Sequence, residues 1–211
     1  MTGIVITGGR CPSYCFIEKY IKDDCYIVAA DSGLEYCMKN GIKPDYIIGD
    51  MDSLRDETLL HSFPPAMVER HSSEKDNTDT ELGLEHMYQA GMDSVILIGG
   101  GGGRPDHFLA IYSLFFRARK PDFWITHNSI FSTISGLCSF SAEIDEEISL
   151  FPLDACCRMR SKGLFWPLDQ LEWGLGDTGI SNKASENTVS IEVLRGELLM
   201  VQSLKSSDCS N

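Results

Sequence analysis

Short apolar runs alternate with helix-like patterns over roughly the first 120 residues, which is typical of a parallel sheet with crossover helices. The apolar runs predict five strands, at Ile4–Thr7, Tyr26–Ala30, Tyr46–Ile48, Met67–Glu69 and Val95–Ile98. Apolar residues three and four positions apart predict three helices, around Leu34–Met38, around Leu84–Tyr88 and over Asp106–Arg119. Gly41 and Gly91 follow the first two helices as stop signals.

The pattern changes after Lys120, where strand-like segments replace the helical ones. Strands are predicted at Phe123–Thr126, Glu147–Phe151 and Thr188–Leu194. Arg195 and Gly196 then predict a hairpin turn into a further strand, Leu198–Gln202. The chain therefore divides into an α/β domain over residues 1–121 and an all-β domain over residues 122–211.

Composition narrows the range of functions. The 211 residues carry a net charge of −13, which argues against nucleic-acid binding because that binding depends on a basic surface. No apolar run approaches the roughly 20 residues of a membrane span, and the N-terminus lacks the basic segment of a signal peptide, so a cytoplasmic location is expected. The eight cysteines do not form the paired CxxC spacing of a zinc site.

Acidic residues follow the predicted strands of the first domain. We call each acidic segment that follows a strand an acidic corner. Because ligands bind at the carboxyl ends of strands in an open α/β sheet, these corners are expected on one edge of the sheet. The four segments are Asp31-Ser32-Gly33, Gly49-Asp50-Met51-Asp52-Ser53, Lys75-Asp76-Asn77-Thr78-Asp79 and Arg104-Pro105-Asp106-His107.

Each corner also has a purely structural interpretation. Asp31 and Asp106 are plausible helix N-caps, and Thr78 with Glu81 fits a capping box. The pair Asp50 and Asp52 fits an ordinary polar turn. Met51 is more typical of a core residue than of a metal ligand. His107 is more typical of an orienting residue than of a catalytic base.

Convergence of the corners favours a metal site. Two carboxylates ~5 Å apart repel by about 3 kcal/mol at an effective dielectric constant near 20, so several on one edge require protonation or a shared cation. Oxygen ligands without a neighbouring His/Cys set indicate Mg²⁺, which completes its shell with water and substrate phosphates.

The five glycines Gly99–Gly103 lie between a predicted strand and a predicted helix, where backbone N–H groups can bind phosphate. The segment is not a P-loop, because no Gly-Lys-Ser/Thr follows, and it lacks the third glycine of the dinucleotide fingerprint. Arg104 can bind a phosphate in bidentate fashion, and Lys75 is a second cation.

Together these motifs resemble the thiamine pyrophosphokinase family. The resemblance rests on Asp31-Ser32-Gly33, "PDYIIGDMDS", "KDNTDTE", "GGGGGRPDH" and "GISN" at Gly179–Asn182, and spans residues 1 to about 205. It implies transfer of the pyrophosphoryl group of ATP to thiamine, giving thiamine diphosphate and AMP. It also implies a Rossmann-like ATP- and Mg-binding catalytic domain, a β-sandwich domain that binds thiamine, and a homodimer with active sites between subunits.

The resemblance also implies roles for individual residues. Asp50, Asp52 and Asp79 would hold Mg²⁺, while Arg104 and Asp106 would bind the triphosphate and complete the catalytic set. Ser181 and Asn182 would hold thiamine. The residues expected at ATP are Asp31, Lys75, Asp76, Thr78, Gly100, Gly101, Gly102, Arg104 and His107.

Three questions stay open at this level. Either Asp106 or Asp76 could accept the proton of the thiamine hydroxyl. The aromatic residue that stacks on thiamine is not identified, with Trp166 expected in the core and Trp173 a weak candidate. Another Mg-dependent phosphoryl-transfer enzyme and a non-catalytic thiamine diphosphate or nucleotide sensor are the alternative functions.

Overall fold

The computed structural model describes residues 1–205, which divide into two compact units. The first unit includes residues 1–114 and 119–128, and the second includes residues 115–118 and 129–203. The protein has a mixed α/β fold, and the predicted mostly parallel sheet is present in the first unit. No helix within residues 1–205 is long and apolar enough to cross a membrane.

The first unit is built on a six-stranded sheet in the order β6-β5-β1-β2-β3-β4, in which every pairing is parallel. Its strands are β1 Thr2–Thr7, β2 Tyr26–Ala30, β3 Tyr46–Gly49, β4 Val68–Arg70, β5 Ser94–Ile98 and β6 Phe123–Ile125. Its helices are α1 Tyr14–Ile17, α2 Gly33–Lys39, α3 Asp79–Gln89 and α4 Pro105–Leu114. Short 3-10 helices occupy Glu18–Tyr20, Glu57–Ser62 and Pro65–Met67.

The central strands are apolar on both faces because helices cover them. Residues 4–6 of β1 and residues 28–30 of β2 are fully buried. Such strands read as continuous apolar runs, which explains why all five predicted strands of this unit are present within one or two residues of their predicted bounds. The sheet therefore provides a rigid base for the loops that follow the carboxyl ends of its strands.

The helix predicted over Asp106–Arg119 is wrong in its extent, because it ends at Leu114. Leu109, within the helix, is 61% exposed. Ile111 and Leu114 are the buried residues of this helix. Neither this boundary nor the short α1 was apparent from apolar spacing.

The second unit consists of antiparallel strands. They are β7 Ser129–Ser141, β8 Glu147–Pro152, β9 Cys157–Lys162, β10 Glu172–Trp173, β11 Gly179–Lys183 and β12 Thr188–Ser203. Strand β12 pairs with β7, β8 and β9, while β8 also pairs with β11 and β9 with β10. Their inward side chains, among them Ile148, Leu150, Val189, Ile191 and Leu198, form one apolar core.

The predicted hairpin at Arg195-Gly196 is wrong. Residues 188–203 form one long strand, and both of its halves pair with β7. The register shifts between Val193 and Leu198, opposite Gly136 and Ile134 of β7, and Gly196 has a φ of +77°. A glycine that marked a turn in the sequence therefore marks an irregularity within a continuous strand.

We predict that the sheet tolerates no side chain at Gly33, the first residue of α2. A Cβ atom there would lie 2.0 Å from the carbonyl oxygen of Ile6 in β1, so Gly33→Ala should lower the free energy of unfolding by at least about 2 kcal/mol. Gly41→Ala, just after the same helix, meets open space at a φ of +68° and should cost about 1 kcal/mol. Urea denaturation of both variants measures the difference, and equal losses would contradict the packing argument.

Candidate active site

Sharp backbone turns place the acidic corners at the carboxyl ends of β2 and β3. Asp31 and Met51 have positive φ values of 48° and 66° although neither is a glycine. The Asp31 N–H donates to Ile48 O at 2.9 Å, which ties the end of β2 to β3. A Cβ on Gly49 would lie in tight contact with Asp79 Oδ1, at 3.1 Å, and with Asp31 Cβ, at 3.2 Å, and its φ of +149° also favours glycine.

The carboxylates of Asp31, Asp50 and Asp52 converge. One oxygen of each lies within 4.8 Å of the others. Asp31 is 9% exposed, and its Oδ1 is buried without a hydrogen-bond partner among the described residues. A buried, unpartnered carboxylate oxygen beside two further carboxylates is the donor set of a hard divalent cation, so these residues fit Mg²⁺.

The surroundings oppose the charge on Asp31. Burial raises the pKa of Asp31 and the nearby negative charges of Asp79 and Asp50 add to the shift, while hydrogen bonds from Ser32 and Ser53 act in the opposite direction. Burial also disfavours the ionised form of Asp50, but the N–H of Asp52, at 3.1 Å from Asp50 Oδ1, and the Lys75 ammonium hold the pKa of Asp50 below its ordinary value.

Asp79, one of the three predicted metal ligands, is not part of the converging group and contacts Lys75. Its Oδ1 lies 2.9 Å from Lys75 Nζ, which is also 3.3 Å from Asp50 Oδ2. Asp79 begins α3, whose N-terminus carries the predicted capping box: Glu81 N–H donates to Thr78 Oγ1, and Thr78 N–H donates to Glu81 Oε2. The capping interpretation of Thr78 and Glu81 is confirmed, and it fixes Asp79 at the cluster.

The glycine segment is held open by backbone hydrogen bonds and by one tryptophan. Gly100 N–H donates to Gly8 O at 2.7 Å, Arg10 N–H donates to Gly101 O at 2.6 Å, and the Trp124 indole donates to Gly99 O at 2.8 Å. Gly100 has a φ of +67°, and a Cβ there would meet Ile111 of α4 at 2.2 Å. The loop therefore packs against Ile111 of α4 and leads through Gly103 and Arg104 into the N-terminus of that helix, where a phosphate can bind.

Arg104 and Asp106 form an exposed ion pair at the start of α4. Arg104 Nε donates to Asp106 Oδ1 at 3.1 Å, and Nη2 donates to Oδ2. The hydrogen bonds from Arg104 lower the pKa of Asp106. Asp106 is the second residue of the helix, and Asp31 precedes Ser32, the N-cap of α2, so neither aspartate is an N-cap residue.

These elements surround one cleft of about 600 Å³ within the first unit, a volume typical of small-ligand sites. Most of the residues expected at ATP and metal line it: Asp31, Asp50, Asp52, Lys75, Asp76, Thr78, Asp79, Gly100, Gly102, Arg104 and His107. Gly101 and Asp106 are not among its lining residues. Ser181 and Asn182 belong to the second unit.

Sequence patterns did not identify several polar residues of the cleft. Thr80 is buried and shares a 2.8 Å hydrogen bond with Thr7, which joins α3 to the end of β1. Ser32 and Ser53 line the cleft beside Asp31. Small hydroxyl residues after strands are common in loops, so only their three-dimensional surroundings distinguish them.

In the second unit, Asn182 holds the segment that carries Trp166. Asn182 is 5% exposed, its Nδ2 donates to Trp166 O at 2.7 Å, and its Oδ1 accepts from Trp166 N at 3.2 Å. Trp166 was expected in the core but is 54% exposed and packs edge-on against Phe165. Trp173 instead packs partly buried against the apolar core. Ser181, with a φ of +54°, is exposed and donates its N–H to Ser149.

Comparisons with known proteins match both units. A family model described as "Thiamin pyrophosphokinase, catalytic domain" matches residues 17–127, and one described as "Thiamin pyrophosphokinase, vitamin B1 binding domain" matches residues 139–198. The thiamine pyrophosphokinase of Bacillus subtilis strain 168 is 26% identical over 210 residues, covering 94% of this chain and 97% of the relative.

Solved structures share the fold. The crystal structure of thiamine pyrophosphokinase from Bacillus subtilis has a TM-score of 0.80 at 22% identity and covers 97% of this chain and 100% of that chain. Thiamin pyrophosphokinase from Geobacillus thermodenitrificans has a TM-score of 0.76 at 23% identity and covers 100% of both chains. Thiamin pyrophosphokinase from Candida albicans has a TM-score of 0.67 at 18% identity and covers 97% of this chain and 89% of that chain.

We predict that Asp31→Asn stabilises the protein in the presence of a chelator. The raised pKa of Asp31 means that its carboxylate opposes folding at neutral pH, so removing the charge should raise the free energy of unfolding by about 1 kcal/mol. The gain should shrink as the pH falls toward the ordinary value of 3.8, because the wild-type side chain is then protonated as well. Thermal unfolding checks this against exposed Asp24→Asn, and a less stable Asp31→Asn protein at neutral pH would contradict it.

Proposed function

The chain belongs to the thiamin pyrophosphokinase family, and we propose that it transfers the pyrophosphoryl group of ATP to the hydroxyl of thiamine, giving thiamine diphosphate and AMP. One structural observation carries the proposal for this chain: carboxylates from sequence-distant corners and an open glycine loop line the same cleft. Acidic metal ligands beside a phosphate-binding loop are the arrangement that phosphoryl transfer requires.

We further propose that Asp31, Asp50 and Asp52 hold Mg²⁺ in this cleft, with Asp79 beside them. The ion would neutralise the negative charge of the ATP phosphates. The chain's own contribution is to fix the three carboxylates in place through the turns after β2 and β3. Asp79 is assigned a supporting place because its carboxylate is not part of the converging group of Asp31, Asp50 and Asp52.

The backbone N–H groups of Gly102 and Gly103, which line the cleft, and the N-terminus of α4 would bind the triphosphate, whereas Gly100 N–H already donates to Gly8 O. Arg104 lies at the same place, and its guanidinium would exchange one partner, Asp106, for phosphate oxygens. The positive charge of Arg104 would therefore be paired with a negative group both before and after ATP binds. Such residues align the β-phosphorus with the attacking alcohol, which is the main requirement of a loose phosphoryl transition state.

Of the two candidate proton acceptors, Asp76 is the better one. A general base must lie within reach of the proton that it accepts, and Asp106 does not line the cleft. Asp76 lines the cleft directly. We therefore assign proton transfer from the thiamine hydroxyl to Asp76.

For thiamine itself we propose a site in the second unit, formed by Trp166, Ser181 and Asn182. Asn182 positions the backbone of Trp166, and the exposed indole offers an aromatic face to the rings of thiamine. Three proposals rest on the family resemblance: a catalytic domain followed by a thiamine-binding β-sandwich, a homodimer whose active sites lie between subunits, and a cytoplasmic location.

Phosphorus NMR of ATP, Mg²⁺ and thiamine with the purified protein tests the function. AMP and thiamine diphosphate are expected, whereas ADP or free phosphate would indicate a different phosphoryl-transfer enzyme, and the absence of turnover would favour a non-catalytic sensor.

Asp52→Asn should lower kcat/KM by at least about a hundredfold because the metal loses one charged ligand. Asp24→Asn, an exposed aspartate, is the matched control.

We predict that Trp166→Ala weakens thiamine binding without affecting ATP. Loss of one aromatic face should raise the KM for thiamine by about tenfold and leave the KM for ATP within about twofold. Trp166→Phe retains an aromatic face and should recover most of the affinity. Steady-state kinetics with each substrate varied in turn provides the measurement, and an equal rise in both KM values would contradict this assignment.

A further inference from the structure

The ammonium group of Lys75 lies between two carboxylates of the cleft. Its Nζ lies 2.9 Å from Asp79 Oδ1 and 3.3 Å from Asp50 Oδ2. The side chains of Lys75, Asp50 and Asp79 are only 15%, 13% and 20% exposed, so this three-membered contact is largely shielded from water. Ion pairs with such shielding interact more strongly than surface pairs.

The two carboxylates that Lys75 joins come from different strand ends. Asp50 follows β3, whereas Asp79 begins α3, four residues after Lys75. The lysine therefore links the β3 corner to the N-terminus of α3 with one cation. No other described element supplies a positively charged side chain to both.

Charge at the cleft makes this link necessary in the metal-free protein. Asp31, Asp50, Asp52 and Asp79 carry four negative charges if all are ionised, and Asp31 has a buried oxygen with no hydrogen-bond partner among the described residues. Arg104, another cation of the cleft lining, is paired with Asp106. Lys75 is thus the cation that offsets repulsion inside the cluster.

We propose that Lys75 is a resident countercation of the metal site, which holds the Asp50 and Asp79 corners together before a divalent cation binds and then competes with that cation for Asp50. The inference rests on the proposed function, in which these carboxylates bind Mg²⁺. It assigns Lys75 as a positioning residue of the metal site. The sequence had suggested a role at the phosphates of ATP instead.

The two roles of Lys75 make opposite predictions. A lysine that binds phosphate affects ATP binding and leaves Mg²⁺ binding in the absence of nucleotide unchanged. A resident countercation makes the metal-free protein more stable and weakens its affinity for Mg²⁺, because a positive charge a few ångströms away repels the incoming ion. Measurements with Mg²⁺ alone therefore separate them.

The test is calorimetry of the full chain with Mg²⁺ alone, without ATP or thiamine. Lys75→Met should melt at a lower temperature than wild type in the presence of a chelator and bind Mg²⁺ at least about tenfold more tightly, so its melting temperature should rise more on adding Mg²⁺. Lys75→Arg keeps the charge and should bind Mg²⁺ within about threefold of wild type. Lys39→Met removes an exposed lysine and controls for net charge.

Unchanged or weaker Mg²⁺ binding by Lys75→Met would overturn the inference, as would Mg²⁺ binding to neither protein. If Lys75→Met does not fold in chelator, Mg²⁺ added during refolding should recover it, and failure to recover would overturn the inference as well. Formation of AMP and thiamine diphosphate by the wild-type protein tests the proposed function separately. An active wild type with an unaltered Lys75→Met metal affinity would therefore refute the countercation role alone.

Discussion

Mutual repulsion among carboxylates is the constraint on which this site depends. Oxygens of Asp31, Asp50 and Asp52 lie within 4.8 Å of one another at the edge of a sheet whose central strands are almost entirely apolar. A domain of this size is stable by only about 5–15 kcal/mol, so an uncompensated cluster would be a large cost. Lys75 offsets part of that cost within the chain, and a divalent cation would offset the remainder.

The fold supplies rigid positions for these opposed charges. Parallel strands deliver the corners to one edge, and Gly49, which leaves space between Asp31 and Asp79, allows them to approach. The same edge carries the glycine loop, which is fixed through Gly8 and Trp124. Apart from Arg104 and Lys75, which would change partners, the groups proposed to bind a phosphate chain and its metal ion need little rearrangement, and such preorganisation is the main source of catalysis in phosphoryl transfer.

Local signals in the sequence predicted much of this arrangement. Buried strands appear as apolar runs, and the capping box at Thr78 depends on residues three positions apart, so both are readable without tertiary information. The hairpin at Gly196 was wrong because β12 is defined by pairing with distant β7. Three further features depend on tertiary packing, which residue spacing does not encode. They are the grouping of Asp31 with Asp50, the pairing of Lys75 with Asp79, and the exposure of Trp166.

Metal binding itself is the most direct measurement of the account. Electron paramagnetic resonance of Mn²⁺, a substitute for Mg²⁺, reports free metal during titration of the nucleotide-free protein. Wild type should bind Mn²⁺ in the cleft, and Asp50→Asn should release it because the residue shared by the carboxylate cluster and Lys75 loses its charge. Equal Mn²⁺ binding by the folded Asp50→Asn protein would contradict the account.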